Sequence, residues 1–479
     1  MKELNGQNAL KRAYPERVIQ FGEGNFLRAF ADWIIQKMND NAGFDGSVVI
    51  VQPIKDGLAE EINQQDCLYH VNLLGLEEGK EVNTLDLIDI VSRALNPYEN
   101  YADYLRLAEQ PEIRFILSNT TEAGIVFDPN CRLTDHPASS FPGKLTQLLF
   151  HRYRKFKGAL DKGLLIFPCE LIFRNGDVLR ETICQYIDHW DLGDEFKKWF
   201  TESCGVYSTL VDRIVPGFPR KNIAAIQERL QYEDRLVVQA EVFYLWIIEA
   251  PQAIEEEFPV GKAGLNVFFV ADEEPYHKRK VTLLNGAHTV LAPVAWLSGI
   301  DIVRDACRHE IVGQYIRKVM FDELIPTLDL AREELNSYAN EVLERFNNPY
   351  IDHSVTSIML NSFSKYRTRD LPALERYTEL TGELPNGLIM GLAALITWNK
   401  GDQRADGMQS DPNDDPEIVR LVQGLWATGS IHAVAEGVLE AEFIWGKNLN
   451  RIPGLTDKLI CSLVAIQEKG MLNAIKDIC

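Results

Sequence analysis

Three polar side chains in one short stretch have the chemistry of an acid–base site. The stretch KVTLLNGAH begins at Lys280, ends at His288 and contains Asn285. A lysine in a partly dry pocket has a lowered pKa, because burial disfavours the ammonium, and it can exchange protons with a substrate oxygen near neutral pH. An asparagine amide can donate to an oxygen as negative charge builds there. With a histidine that holds a hydroxyl, this trio suits hydride transfer between a nicotinamide and a polyol or keto-sugar, without a metal.

A helix that begins near Lys280 would direct the three side chains into one sector. At about 100° per residue, Asn285 lies about 140° and His288 about 80° around the helix from Lys280. Asn285 and His288 are then neighbours three residues apart. The alternative interpretation is a solvated lysine, a capping asparagine and a core histidine, and spacing alone leaves that alternative open.

The motif K-x4-N-x2-H within KVTLLNGAHT resembles the catalytic signature of the mannitol dehydrogenase family of polyol-specific long-chain dehydrogenases. The resemblance implies that Lys280 is the general acid/base and that Asn285 and His288 bind substrate oxygens. Other segments support it in the same order, among them QFGEGNFLRAF, SNTTEAGI, STLVDRIV and NPYI. They resemble the members of the family that act on sugar acids. The alternatives are members that act on a different sugar acid such as fructuronate, members that act on mannitol or another neutral polyol, and a catalytically silent NAD-binding regulatory protein.

A short apolar strand, Val18 to Phe21, leads into the sequence GEGNFLRAF. Gly22 and Gly24 fit the first two glycines of a dinucleotide-binding fingerprint, which permit a tight turn and a close approach to the pyrophosphate. Leu27 stands at the third glycine position, so the generic pattern is incomplete. The family begins with G-x-G-x-F-x-R-A, and this resemblance implies that the residues around the turn bind the cofactor: Phe21, Gly22, Gly24, Asn25, Phe26 and Arg28. Arg28 has the alternative role of a partner for the protein's own helix.

Two further strand ends are candidate cofactor sites. The strand Ser47 to Val51 ends at Gln52, which can bind a ribose hydroxyl but carries no charge to repel a 2′-phosphate. The sequence itself does not decide between NAD and NADP, and the resemblance implies NAD(H). The strand Arg114 to Ser118 runs into Asn119, Thr120, Thr121 and Glu122, at the end where open α/β sheets bind ligands. An ordinary polar turn is the alternative there.

Several positions are candidates for contact with the substrate. After the strand Gly163 to Cys169 the family has C-D-N, whereas this chain has Leu171, which cannot donate a hydrogen bond; Asn175 could serve instead, or could form a plain turn. In the V-D-R-I run, Asp212 and Arg213 either contact the substrate or hold the domains together. The resemblance places His353 and Lys365 near the substrate. The run SKYRTR, with Lys365, Arg367 and Arg369, could bind a carboxylate, or it could be a solvated face.

The order of elements predicts an α/β fold in two domains. Strands alternate with helices over residues 1–274, which favours a Rossmann-like NAD-binding domain with a mostly parallel sheet. Residues 275–479 have helical periodicity and few strand signals, so we expect a mostly α-helical substrate and catalytic domain. The active site is then expected in the cleft between the domains.

Composition limits the possible partners. The chain has 479 residues, with 46% hydrophobic residues, 25% charged residues and a formal charge of −21. That charge argues against nucleic acid or an anionic membrane as a partner and leaves a small-molecule sugar acid possible. There is no H-E-x-x-H motif and no compact Cys/His/Glu ligand cluster in the sequence, and we expect no metal. The eight cysteines form no CxxC pair, and no signal peptide or membrane span is evident, so we expect a cytoplasmic protein. The sequence does not indicate an oligomeric state.

Overall fold

The computed structural model describes residues 1–120, 124–404 and 406–478. The chain divides into two compact units, one of Met1–Leu74 with Glu81–Glu273 and one of Gly75–Lys80 with Glu274–Cys479. The second unit therefore includes the tip of a hairpin that the sequence analysis did not assign to it. Within that unit the Gly79 N–H donates to the Glu344 carboxylate at 3.0 Å.

The strands, in chain order, are β1 Lys2–Glu3, β2 Glu16–Phe21, β3 Ser47–Val51, β4 Tyr69–Glu77, β5 Lys80–Ile88, β6 Val91–Leu95, β7 Phe115–Ser118, β8 Leu165–Pro168, β9 Gly205–Val206, β10 Thr209–Asp212, β11 Tyr232–Glu233, β12 Val238–Glu241, β13 Leu245–Glu249 and β14 Val267–Val270. The central sheet has the order β6-β3-β2-β7-β8-β9 and its neighbouring strands run parallel. The strand order reverses between β3 and β7, on either side of β2. Ligands of open α/β sheets bind at the carboxyl ends of the strands at such a reversal.

The central strands are apolar on both sides because both faces of the sheet are covered. Val18, Val48 and Ile50 lie in one buried cluster, whereas Ile19 and Val49 lie in another. Alternate residues of a strand point to opposite faces, so the two clusters are the two sides of one sheet.

Helices complete the first unit: α1 Asn25–Ala29, α2 Ala31–Ala42, α3 Ala59–Gln64, α4 Tyr101–Leu107, α5 Phe141–Lys155, α6 Asn175–His189, α7 Asp194–Ser203 and α8 Ile223–Leu230. Side chains of α2 and α5, such as Ile34 and Leu145, pack into the two opposite clusters. The helices therefore cover both faces of the sheet, as expected for a Rossmann-like domain.

The second unit is mostly helical: α9 Glu274–Arg279, α10 Ala287–Leu297, α11 Val303–Arg308, α12 Glu310–Lys318, α13 Arg332–Phe346, α14 Val355–Ile358, α15 Ser362–Arg369, α16 Leu371–Thr381, α17 Asn386–Trp398, α18 Pro416–Ala427, α19 Ile431–Glu440, α20 Glu442–Trp445, α21 Leu455–Lys469 and α22 Met471–Lys476. Helices α10 and α17 are buried over almost their whole lengths and lie at its centre. The predicted fold class is confirmed. Among the described helices, none combines the length and the apolar character that a membrane crossing needs.

Candidate active site

The stretch that carries Lys280 is wound more widely than an α-helix. Residues Lys280–Gly286 form a π-helix between α9 and α10, so the α-helical spacing assumed from the sequence is wrong here. In a π-helix each N–H pairs with the carbonyl five residues earlier, and Asn285 therefore lies about one turn after Lys280. Both residues are half-buried. The π-helical segment Lys280–Gly286, called the wide turn below, therefore brings the lysine and the amide to one side of the helix. The predicted α-helical spacing would have left them about 140° apart.

The wide turn is fixed by contacts from α10, α15 and the start of α16. The Asn285 carbonyl accepts a hydrogen bond from the Thr289 hydroxyl at 2.8 Å and another from the Arg369 guanidinium at 3.4 Å. Gly286 packs against the buried carboxyl group of Asp370, so that a Cβ at position 286 would lie 2.7 Å from Asp370 Oδ1. A side chain at position 286 would therefore displace the turn.

His288 is held between two rings and has one unpartnered nitrogen. Its ring stacks on Phe346 with centroids 4.0 Å apart, and His353 approaches edge-on at 5.1 Å. His288 Nε2 is buried and has no hydrogen-bond partner among the described residues. Since a buried polar atom without a partner costs free energy, this nitrogen is suited to a group that arrives with a ligand.

The surroundings of His288 are cationic. Burial, followed by the charges of His353, Arg345, Arg369 and Lys365, lowers the pKa of His288 well below its usual value. Burial and Lys365 also lower the pKa of His353. The structure thus brings His353 and Lys365, both predicted substrate residues, close to His288.

Arg367 does not join this group. It is exposed and its guanidinium donates to the Ile444 carbonyl at 3.2 Å, on another side of α15. The sequence prediction of Arg367 as a substrate residue therefore has no support from its position. Arg369, which the sequence analysis considered only as part of this cationic run, is the arginine that contacts the wide turn.

In the first unit, Gly22 and Gly24 border a cavity of about 430 Å³ at the carboxyl ends of β2 and β7. Gly22 has a φ of +124°, and a Cβ there would lie 3.2 Å from the Asn119 carbonyl oxygen. Gly24 has nothing within 4 Å of a Cβ position. The first glycine is therefore required by the turn itself, and the second keeps the cavity open beside the start of α1.

The other residues of the fingerprint segment serve the fold. Arg28 is 3% exposed and donates to the Glu23 and Leu236 carbonyls and to the Asn25 side chain. The Phe26 ring stacks on Phe30, with centroids 4.9 Å apart. Phe21, the last residue of β2, is fully buried. The structure thus favours the alternative role of Arg28, that of a partner for the protein's own elements.

Gln52 is also occupied by its own loop. Its amide nitrogen donates to the Ile54 and Lys55 carbonyls, and its amide oxygen accepts from the Ala59 N–H. The side chain is 2% exposed. These contacts shape the loop after β3, so a direct bond from Gln52 to a ribose would require the loop to rearrange.

Glu170 organises the strand end that the sequence predicted to bind the cofactor. Its carboxylate accepts from the Ser118 hydroxyl and from both the N–H and the hydroxyl of Thr120, each at 3.0 Å. Asn119 donates from its amide to the Cys169 carbonyl. Asn119 and Thr120 line the cavity beside Gly22, whereas Thr121 and Glu122 lie outside the described residues. Burial raises the pKa of Glu170, although these hydrogen bonds oppose the shift.

The sequence analysis missed Glu170 although a signal was present. It directly follows the predicted strand Gly163 to Cys169, as Asn119 follows the predicted strand Arg114 to Ser118, and the same argument about strand ends applies to both.

The remaining candidates in this unit join elements of the fold. The Asn175 amide donates to the Glu170 and Thr209 carbonyls and accepts from the Thr209 N–H, and the residue is fully buried. Arg213 donates to the Glu241 and Ala29 carbonyls and lies over the Trp33 ring. Burial lowers the pKa of Arg213 to about 10. Asp212 is buried at the end of β10, and Leu171 is 64% exposed.

Comparison with known proteins gives matches over nearly the whole chain. Residues 16–261 match the mannitol dehydrogenase Rossmann domain, and residues 272–467 match the mannitol dehydrogenase C-terminal domain. Proteins named altronate oxidoreductase from Phocaeicola vulgatus and Bacteroides thetaiotaomicron are 66% and 65% identical to the chain, over 100% of both sequences. The Bacillus subtilis protein of the same name is 44% identical over 97% of this chain and 96% of its own.

Solved structures agree in fold. A substrate-free D-sorbitol dehydrogenase aligns with a TM-score of 0.81 at 21% identity, over 96% of this chain and 95% of its own. Pseudomonas fluorescens mannitol 2-dehydrogenase, in a ternary complex with NAD and D-mannitol, aligns with a TM-score of 0.65 at 19% identity, over 99% of each chain. The domain matches and the identities together show that the chain belongs to the mannitol dehydrogenase family, and it is an oxidoreductase that acts on CH–OH groups.

Proposed function

We propose that the protein catalyses the reversible, NADH-dependent reduction of D-tagaturonate to D-altronate, a step in the breakdown of hexuronates such as galacturonate in the cytoplasm. The observation that carries the proposal is the position of Lys280 and Asn285, one π-helical turn apart in a unit whose His288 is surrounded by cations. Full-length relatives named altronate oxidoreductase support this substrate over a neutral polyol.

The first unit has a site that fits the cofactor NAD(H). Gly22 has the positive φ that a tight turn requires and Gly24 faces open space, which is the arrangement that a pyrophosphate beside a helix N-terminus needs. Gly22, Gly24, Asn119 and Thr120 are the residues that would hold the cofactor. When bound, NADH supplies the hydride for the reduction and NAD accepts it in the reverse direction.

The residues of the second unit supply the rest of the chemistry. As negative charge builds on the substrate oxygen, the Asn285 amide donates a hydrogen bond to it. The ammonium of Lys280 gives its proton to that oxygen, and in the reverse direction the neutral amine accepts a proton from the hydroxyl. The unpartnered Nε2 of His288 binds a neighbouring hydroxyl of the sugar acid.

Replacing Lys280 by alanine tests the assignment. We expect turnover with D-tagaturonate to fall by about 10²–10⁴-fold, the usual contribution of a general acid/base, while the dissociation constant for NADH stays within twofold. Turnover is followed by NADH absorbance, and NADH binding by fluorescence titration. Added small primary amines should restore part of the lost rate, since they replace the missing proton donor.

The matched control is Lys278→Ala. Lys278 lies two residues before Lys280, is exposed and forms an ion pair with Glu274 at 2.7 Å. This variant should keep the parent rate. If Lys280→Ala retains more than a tenth of the parent turnover, Lys280 is not the acid/base.

A panel of D-tagaturonate, D-fructuronate and D-fructose with NADH and NADPH identifies the substrate, and a preference for D-fructuronate or D-fructose would overturn the proposed one.

A further inference from the structure

Helix α15 presents two of its three cations to the active-site histidine. Lys365 and Arg369 are four residues apart and therefore lie on one face of the helix. Both act on His288 electrostatically, and each is half-buried. Arg367, between them, points instead to the Ile444 carbonyl. The helix thus directs a pair of cations, and not the whole run, towards the wide turn.

The guanidinium of Arg369 has neutral partners. In the described part of the chain it donates to the Asn285 carbonyl at 3.4 Å and to the Thr289 hydroxyl at 3.2 Å, both long contacts made by the same nitrogen. An arginine has five N–H donors, so most of its hydrogen-bonding capacity remains for another acceptor. The two contacts also tie Arg369 directly to the turn that carries Asn285.

Asp370, which directly follows Arg369 at the end of α15, forms no ion pair with it. Both oxygens of Asp370 are buried and have no hydrogen-bond partner among the described residues. Burial raises the pKa of Asp370 well above its usual value, which makes it a poor counter-ion. A half-buried guanidinium that forms no ion pair with a described residue costs free energy that a bound anion would recover.

We propose that Arg369 is the specificity-determining residue that binds the carboxylate of the sugar acid, and that its contacts with Asn285 and Thr289 fix that carboxylate relative to the catalytic turn. Arginine suits this role because its planar donors match a carboxylate in two parallel hydrogen bonds. This inference rests on the proposed function and extends it by naming the group that separates sugar acids from neutral sugars.

The test compares a charged substrate with its neutral counterpart in the full-length enzyme. D-Tagatose has a CH₂OH group where D-tagaturonate has its carboxylate. For Arg369→Ala we expect kcat/KM with D-tagaturonate to fall about a hundredfold, mainly through KM, because a buried charge pair loses one partner. The value with D-tagatose should fall by about tenfold at most, because this substrate loses only the contacts of Arg369 with the turn that carries Asn285. Inhibition constants for D-altronate and D-altritol give the same comparison without turnover.

Two variants control for damage to the fold. Arg369→Lys keeps the charge but loses the paired donors, and should lie between the parent and Arg369→Ala. Arg367→Ala removes an exposed arginine two residues away and should match the parent. Circular dichroism and the NADH dissociation constant should be unchanged in all three variants.

The outcomes separate the two proposals. If the parent does not reduce D-tagaturonate, the proposed function fails and this inference fails with it. If the parent is active and Arg369→Ala affects D-tagaturonate and D-tagatose equally, or affects neither, only the role of Arg369 is refuted. A selective loss with the charged substrate supports it.

Discussion

Replacing Gly22 by alanine should destabilise the first unit by about 3 kcal/mol. The φ of +124° at this position is a conformation that residues with a Cβ rarely adopt, and holding alanine there costs about 1–3 kcal/mol. The added methyl carbon would also lie 3.2 Å from both the Asn119 carbonyl oxygen and Leu27 Cδ1, which adds about 1–2 kcal/mol of overpacking. The lower flexibility of alanine in the unfolded chain offsets about 0.4–1 kcal/mol of this loss in the free energy of unfolding.

Gly24→Ala is the matched control, because it changes the same segment without strain. Its φ is −65° and no atom lies within 4 Å of the added carbon. We expect its stability to stay within about 1 kcal/mol of the parent, because the poorer helix capping by alanine is partly offset by its lower flexibility in the unfolded chain. NADH affinity should nevertheless fall, because the methyl group enters the cavity that we propose for the pyrophosphate.

Urea unfolding and NADH fluorescence titration distinguish the two variants. The expected pattern is a loss of stability for Gly22→Ala and a loss of cofactor affinity without a loss of stability for Gly24→Ala. If Gly22→Ala unfolds at the parent's urea concentration and binds NADH normally, the turn tolerates a Cβ and the reasoning is refuted. If Gly24→Ala binds NADH as the parent does, the cavity is not the cofactor site.

Two further predictions concern buried titratable groups. The pKa of His288 is lower in the folded than in the unfolded protein, so below its unfolded pKa of about 6.5 the unfolded state binds more protons. The free energy of unfolding therefore decreases as the pH is lowered, by up to about 1.4 kcal/mol per pH unit. His288→Asn should make this acid slope shallower in urea titrations over a pH series, and an unchanged slope would show that His288 is not the titrating group. Glu170→Ala should weaken NADH binding about tenfold, because the Ser118 and Thr120 contacts that shape the cavity wall are lost at about 0.5–1.5 kcal/mol each. Glu170→Gln keeps an acceptor for Thr120 and should stay within threefold of the parent in NADH titrations; equal effects of the two variants would contradict the role of Glu170.

The sequence was sufficient to predict those elements whose structure is determined by neighbouring residues. The apolar strands ending at Phe21 and Val51, and the glycine turn that follows the first of them, are encoded in consecutive residues. The helical character of the second unit follows from periodicity over long windows. The resemblance to the family supplied the prediction that Lys280 is the general acid/base, which spacing alone could not supply.

Contacts between distant parts of the chain could not be predicted in this way. Arg28 binds the Leu236 carbonyl and Arg213 binds the Ala29 carbonyl, across sequence separations of 208 and 184 residues. Both arginines appeared available for ligands because their partners were not evident in the surrounding sequence. Arg367 and Arg369 illustrate the same difficulty at short range, since two residues on one helix face different partners.

The π-helical hydrogen-bond pattern of Lys280–Gly286 could not be predicted from the sequence for a different reason. Apolar residues such as Leu283 and Leu284 are buried in the structure, and their pattern is compatible with either an α-helix or a π-helix. Periodicity reports which face is buried, and it does not report whether each N–H pairs with the fourth or the fifth preceding carbonyl.

The five-residue pairing also makes the length of this segment a functional property. At its present length, an ordinary α-helix would leave Lys280 and Asn285 about 140° apart, although every important side chain would remain present. A chain one residue shorter between them would keep the amine and the amide on one face, because residues four apart in an α-helix are neighbours. A chain one residue longer would place them six residues apart, about 120° around an α-helix. We therefore expect a one-residue insertion in this segment to reduce activity more than a one-residue deletion.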